Sequence, residues 1–80
     1  MIATAADIKK VKTLLAKVLH LIQNNEYNLV KLHGVKCSRS DLETIQFYCE
    51  ALLRGESLTR YIVMESVKPV LDKVGIDYKS

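Results

Sequence analysis

Hydrophobic residues recur at helical spacing in three stretches of this 80-residue chain. The first runs from about residue 5 to residue 23, where Ile8, Leu15 and Ile22 belong to one apolar stripe with polar residues on the other faces. This period predicts an amphipathic helix, and Asn24-Asn25 marks its end. Such a stripe is normally buried against neighbouring helices or against a second copy of the same helix.

The second stretch predicts a helix that ends at a glycine. Its expected range is residues 40–54, because Ser40 is a good N-cap and Glu43, three residues on, completes a capping box. Gly55 ends this helix, since glycine adopts the left-handed conformation of a C-terminal cap without a Cβ clash.

The third stretch predicts a helix over residues 58–74, which Pro69 bends because proline removes one amide hydrogen bond. Between the first two helices, residues 24–39 are ambiguous. Tyr27–Leu32 fits one or two helical turns stopped by Gly34, whereas Leu29–Cys37 fits a short strand that Gly34 weakens. A single strand there would need a partner from another chain to satisfy its backbone groups. We therefore predict an all-α fold, a small three-helix bundle with a short strand or helical turn between helices 1 and 2, which dimerisation could complete.

Composition restricts the class of protein. Apolar residues make up 49% of the chain and charged residues 26%, which is typical of a folded globular protein. A chain of this length buries only about 60–65% of its surface on folding, so an obligate dimer is an open alternative. No run approaches the ~18–20 apolar residues of a membrane span, and the N-terminus lacks the pattern of a secretion signal. We expect a single cytoplasmic domain that does not contact a membrane.

Charge is distributed unevenly along the chain. Residues 1–40 carry seven basic and two acidic side chains, a net charge of +5, whereas residues 41–80 carry five basic and seven acidic side chains, a net charge of −2. A one-sided positive surface would attract a partner that carries phosphates or carboxylates. The alternative is that these basic residues form an ordinary solvated helix face.

Few residues are available for catalysis or metal binding. His20 and His33 lie beside apolar residues, with no Asp or Glu at a spacing that would orient either ring. Cys37 and Cys49 are too few for a disulfide framework and fit buried free thiols in a reducing compartment. Only His33 and Cys37 have the spacing of a zinc-ligand pair, so zinc is not expected. We predict a protein that is not an enzyme and has no cofactor.

The run Gly55–Val63 begins with a Gly-x-Ser-x-Thr turn, followed by aromatic and apolar residues. In this it resembles the turn and second helix of the ribbon-helix-helix regulators, particularly their antitoxin-type members. The resemblance implies a dimer in which one strand from each chain pairs with the other and enters the major groove of DNA. It also implies that Ser57 and Thr59 cap the second helix and contact a backbone phosphate. The residues that it places against the bases are Lys31, His33 and Lys36.

Two functions from different classes are compatible with these patterns. We predict a small regulatory homodimer that binds nucleic acid through its basic first half. The alternative is a helical protein-interaction module, such as an inhibitor, adaptor or immunity protein of viral or plasmid origin, that binds a host protein through aromatic residues such as Phe47. The predicted nucleic-acid-binding residues are Lys9, Lys10, Lys12, Lys17, Lys31, His33, Lys36, Arg39, Ser57 and Thr59.

Overall fold

A β-hairpin stands between the first two helices of this protein. The computed structural model describes residues 5–24, 29–56, 65 and 67–76. The all-α prediction is wrong, because the chain forms a small α+β structure with a two-stranded antiparallel sheet. In chain order the described elements are α1 (Ala5–Asn24), β1 (Val30–Leu32), β2 (Val35–Cys37), α2 (Arg39–Leu53) and α3 (Lys68–Val74).

The hairpin closes through a two-residue turn. His33 and Gly34 both have positive φ, 52° and 80°, which is the condition for the type I′ turn that matches the twist of paired strands. Histidine is among the few side chains that adopt this conformation readily, and glycine has no Cβ to oppose it. Lys31 lies directly opposite Lys36 across the two strands. The expectation that a strand here needs a partner from another chain was wrong, since the same segment supplies both strands.

Helix α2 begins earlier than predicted. Its N-cap is Ser38, whose Oγ accepts a hydrogen bond of 3.2 Å from the backbone amide of Asp41, while the Asp41 carboxylate accepts one of 3.0 Å from the Ser38 amide. The predicted box of Ser40 and Glu43 was therefore wrong. Strand β2 ends at Cys37 and α2 starts at Arg39, so the free amide groups of the first helical turn follow the sheet directly. Ser38, between the two elements, is the residue in position to cap them.

Gly55 stands at the C-terminal end of α2 with φ 82°. Its amide donates to the carbonyl of Leu52 and the amide of Glu56 donates to the carbonyl of Ala51, both at 3.0 Å. This pair of bonds is the Schellman motif, in which a left-handed glycine satisfies the last free carbonyls of a helix.

The third helix is shorter within the described residues than the sequence predicts. Glu65 and Val67 are in turns, and α3 starts at Lys68 with Pro69 in its first turn. The predicted continuous, bent helix was therefore wrong at this point, because proline is better tolerated in a first turn, where its missing N–H has no helical partner to lose. The predicted range 58–64 lies outside the described residues.

The core takes side chains from all five elements. Helix α1 packs along α2, and the inward-facing residues of the hairpin and of α3 complete the interior. None of the helices in the described ranges has the length and hydrophobicity that a bilayer-spanning segment needs. The buried cluster consists of Val11, Leu14, Val18, Leu32, Cys37, Leu42, Ile45, Tyr48, Cys49, Leu52, Val67, Val70, Leu71 and Ile76.

The capping box of α2 gives a direct test with a control two residues away. We expect Ser38→Ala to lower the free energy of unfolding by about 1 kcal/mol, because the amide of Asp41 loses its acceptor. Ser40→Ala should change it by less than about 0.5 kcal/mol, since Ser40 is exposed. Urea unfolding followed by circular dichroism measures both values. An equal or larger effect at Ser40 would contradict the observed cap.

Both cysteines should be inert in the folded protein. Cys37 and Cys49 are free and at most 1% exposed. Burial, with the nearby carboxylates of Asp41 and Glu50 respectively, raises the pKa of both thiols, that of Cys49 to about 12. We expect an aromatic disulfide reagent at mildly alkaline pH to label neither thiol until guanidinium unfolds the chain. Rapid labelling of the native protein would contradict the placement of these residues.

Candidate anion-binding site

A cleft opens where α1, the hairpin turn and the end of α3 meet. Its volume is about 360 Å³, within the range of roughly 300–1,000 Å³ usual for small-ligand sites. We call it the cationic cleft, after the basic residues that dominate its lining. The described residues that line it are Lys9, Lys10, Thr13, Leu14, His33, Lys73 and Val74.

Helix α1 forms one wall of the cationic cleft. Thr13 is four positions after Lys9 and three after Lys10, so it neighbours each of these two adjacent lysines across one turn of the helix. Leu14, only 1% exposed, lies beside them at the bottom. The side-chain hydroxyl of Thr13 donates a hydrogen bond of 3.0 Å to the carbonyl of Lys9, so its oxygen is left as an acceptor. The wall therefore offers two ammonium groups above an apolar floor.

The C-terminal end of α3 forms the second wall. Its last turn carries Lys73, and Gly75 follows with φ 86°. The Nζ of Lys10 lies 3.3 Å from the point that a Cβ at Gly75 would occupy, so the absence of a side chain there lets the ammonium group approach the end of the helix. Positive charge is favourable at a helix C-terminus, where the last carbonyls point outward.

The hairpin turn contributes His33 to the cationic cleft. The ring is mostly exposed, and partial burial, together with the charge of Lys17, lowers its pKa. Burial is the larger cause, and the Lys17 ammonium group adds to it because a neighbouring cation disfavours a second positive charge. The described part of the lining contains no Asp or Glu, and Lys9, Lys10 and Lys73 form no ion pair with any described carboxylate. The arrangement suits the binding of an anion.

Some predicted residues come together here. Lys9, Lys10 and His33 line the cleft and Lys17 lies close enough to influence His33. Lys73 was missed, because it belongs to the half of the chain with a negative net charge. Only the return of α3 to the beginning of α1 brings it to the site, and no local pattern signals that contact.

Arg39 was predicted to bind nucleic acid, but its side chain makes contacts within the protein. Its Nη1 donates a hydrogen bond of 3.2 Å to the carbonyl of Ile22, and its Nε lies 3.4 Å from the Glu43 carboxylate. The guanidinium group thereby connects the start of α2 to the end of α1. Its charge is also compensated locally, so it does not extend the cationic cleft.

Other predicted residues lie outside the cleft lining. Lys12 is exposed on α1, and Lys31 and Lys36 are exposed on β1 and β2. Lys31, His33 and Lys36 therefore occupy two strands and a turn instead of one ribbon strand. Ser57 and Thr59, with most of the run that resembles the ribbon-helix-helix turn, lie outside the described residues, so that resemblance stays a prediction. Within the described ranges, no three His, Cys, Asp or Glu side chains group as metal ligands.

The proximity of Lys17 to His33 can be measured. We expect Lys17→Gln to raise the pKa of His33, since a positive charge that opposes ring protonation is removed, while partial burial still keeps the pKa below its usual value. Lys12→Gln should leave the His33 pKa unchanged. Titration of the ring C–H signal by NMR reads both variants. An equal shift in both would show that Lys17 has no specific relation to His33.

Comparison with known proteins gives no family to which the chain could be assigned. No protein-family model, no curated protein sequence and no solved structure matches it.

Proposed function

We propose that this protein is a non-enzymatic regulator that binds nucleic acid through the cationic cleft. The observation that carries the proposal is the convergence of Lys9, Lys10 and Lys73 with His33, from three elements far apart in the sequence. No described carboxylate neutralises these lysines. A dense group of like charges destabilises the folded chain through self-repulsion, and a bound polyanion relieves that repulsion.

The chemistry of the lysines favours phosphate as the ligand group. A lysine ammonium is a compact point charge on a flexible stem, which follows a phosphate backbone without demanding one fixed geometry. Each phosphate neutralised by such a group releases condensed counterions, and this release supplies most of the affinity for nucleic acid at low salt. A single carboxylate ligand would engage fewer of the cations.

Three further lysines carry positive charge at the surface outside the cleft lining. Lys12, Lys31 and Lys36 are exposed and form no ion pair with a described acidic residue. Lys31 and Lys36 face each other across the hairpin, where like charges directly opposite are unfavourable. An anionic backbone that passes over the hairpin would reduce this repulsion as well. We assign these residues a supporting role, in long-range attraction.

The proposed action is binding without catalysis. His33 is the cleft residue whose charge changes nearest neutral pH, and no described carboxylate in the lining orients its ring. General acid–base catalysis normally requires such an orienting group or a second titratable partner. The lysines of the lining serve better to hold phosphates than to transfer protons.

A protein-interaction module remains the second candidate, on a different observation. Leu29 is 66% exposed and Phe47 is 47% exposed, and large apolar side chains at the surface serve as anchors in protein interfaces. A partner held by such contacts would tolerate salt, because apolar burial is not screened by ions.

The homodimer stays a prediction. Because β1 and β2 pair with each other within one chain, the hairpin does not need a strand from a second copy. A cytoplasmic location is favoured by the two free buried thiols.

The proposal is tested with a charge variant of the cleft and a matched control. Fluorescence anisotropy would measure binding to labelled mixed-sequence oligonucleotides, single-stranded and duplex, over a range of salt concentrations. We expect log K to fall linearly with log salt, by about 0.7–0.9 per phosphate contacted. The variant K9Q/K10Q should bind roughly tenfold more weakly and lose about 2 from the slope, about 1 for each lysine.

The control K12Q/K36Q removes the same charge outside the cleft lining. It should weaken binding less and change the slope less than K9Q/K10Q does. Failure to bind either oligonucleotide at low salt would overturn the proposal, as would equal losses in the two variants. Salt-insensitive capture of a purified protein partner that requires Phe47 would favour the second candidate.

A further inference from the structure

The cationic cleft has an apolar floor as well as a charged rim. Both Leu14 and Val74 belong to the lining, but Leu14 is only 1% exposed, so half-buried Val74 supplies most of the apolar surface that a ligand could reach. An inorganic anion needs neither of these side chains, since apolar surface contributes nothing to the binding of a hydrated ion. The floor therefore fits a ligand that carries a flat, poorly hydrated part beside its negative charge.

The ring of His33 supplies a face for such a ligand. Unstacked nucleic-acid bases pack on aromatic side chains, and histidine is one of the side chains used in this way. In the cleft the imidazole lies together with the apolar floor and the ammonium groups, so one ligand can meet all three. A nucleotide has both the base and the phosphate that this combination requires.

The turn fixes the position of this ring. His33 occupies a two-residue hairpin turn with φ 52°, between strands that leave the backbone little freedom. The turn therefore fixes the backbone from which the ring projects, so less backbone entropy is lost on binding. The ring starts from a defined place beside the cleft.

We propose that the cationic cleft takes one unpaired nucleotide of a single-stranded nucleic acid, with its base against His33 and the apolar floor and its flanking phosphates on Lys9, Lys10 and Lys73. This inference rests on the proposed nucleic-acid function and specifies its substrate. A duplex keeps its base faces stacked inside and would have to flip a nucleotide out to fill the cleft, which costs a few kcal/mol. With about 360 Å³, the site is at the small end of ligand pockets and suits a single nucleotide.

The lining of the cleft suits a stacked base of any kind and has few groups that would select one base over another. Apart from the His33 ring, Thr13 is the one described lining residue with a neutral polar side chain, and its hydroxyl proton is already donated to Lys9. Recognition of a particular base normally needs paired donors and acceptors from Arg, Asn, Gln or an acidic side chain. Binding should therefore be sequence-tolerant, as in other proteins that combine stacking with a basic groove.

The test compares three labelled ligands of equal length and mixed sequence: single-stranded DNA, single-stranded RNA and a DNA duplex. His33→Asn is the main variant, because asparagine also tolerates positive φ in this turn but lacks the ring. We expect both single strands to bind more tightly than the duplex. His33→Asn should weaken single-strand binding by roughly 5- to 150-fold, the range that loss of one stacked base gives, and weaken duplex binding by a clearly smaller factor.

A second measurement reads the ring directly in the unaltered protein. Adenosine monophosphate should move the His33 ring C–H signal in the NMR spectrum upfield, through the ring current of a stacked base. Inorganic phosphate is the control, since it carries the charge without the base and should give no such upfield shift. Equal responses to the two ligands would overturn the proposed stacking.

The outcomes separate this inference from the proposed function. If the duplex binds as tightly as the single strands and His33→Asn has no effect, the unpaired-nucleotide site is wrong, while a loss of binding in K9Q/K10Q would still support nucleic-acid binding. If no oligonucleotide binds at low salt, both proposals fail. A difference between the two single strands would support the site and name the nucleic acid that fills it.

Discussion

The positive-φ turn at His33-Gly34 is the constraint on which the rest of this structure depends. It reverses the chain within two residues, so that β1 and β2 satisfy each other's backbone groups without a second molecule. A two-stranded hairpin is marginal alone, and here Leu32 and Cys37 are fully buried in the core beneath the helices. The same turn determines where α2 begins and carries the ring that completes the cationic cleft.

Sequence patterns predicted helix α1 and the glycine at the end of α2, but not the hairpin, the cap of α2 or the start of α3. Helix α1 has five turns of regular apolar spacing, and Gly55 marks a helix end through its own conformational preference. The strands have only three residues each, too few for alternation to be recognised. Glycine at 34 suggested a weak strand, although it forms the turn. Ser38 and Ser40 are each followed by an acidic residue three positions on, so only the end of β2 decides between the two caps.

The sequence also identified some residues of the candidate site and missed others. Lys9 and Lys10 were identified from the sequence as part of the basic first half of the chain, although the sequence did not separate them from Lys12, which lies outside the cleft lining. Lys73 was missed, because summing charge over each half of the chain conceals a lysine that tertiary structure returns to the first helix. Arg39 shows the opposite error: a basic residue counted as available is bonded to the Ile22 carbonyl and paired with Glu43. The net charge of a segment thus indicates the sign of the charge on a partner, whereas the packing of the chain determines where the two would meet.

The two helical walls of the cationic cleft come from opposite ends of the described chain, Lys9 to Leu14 on one side and Lys73 to Val74 on the other. The cleft therefore exists only while α3 is packed against α1. Cleavage of the chain between α2 and α3 that released α3 would remove the second wall and leave Lys9 and Lys10 without Lys73 opposite them.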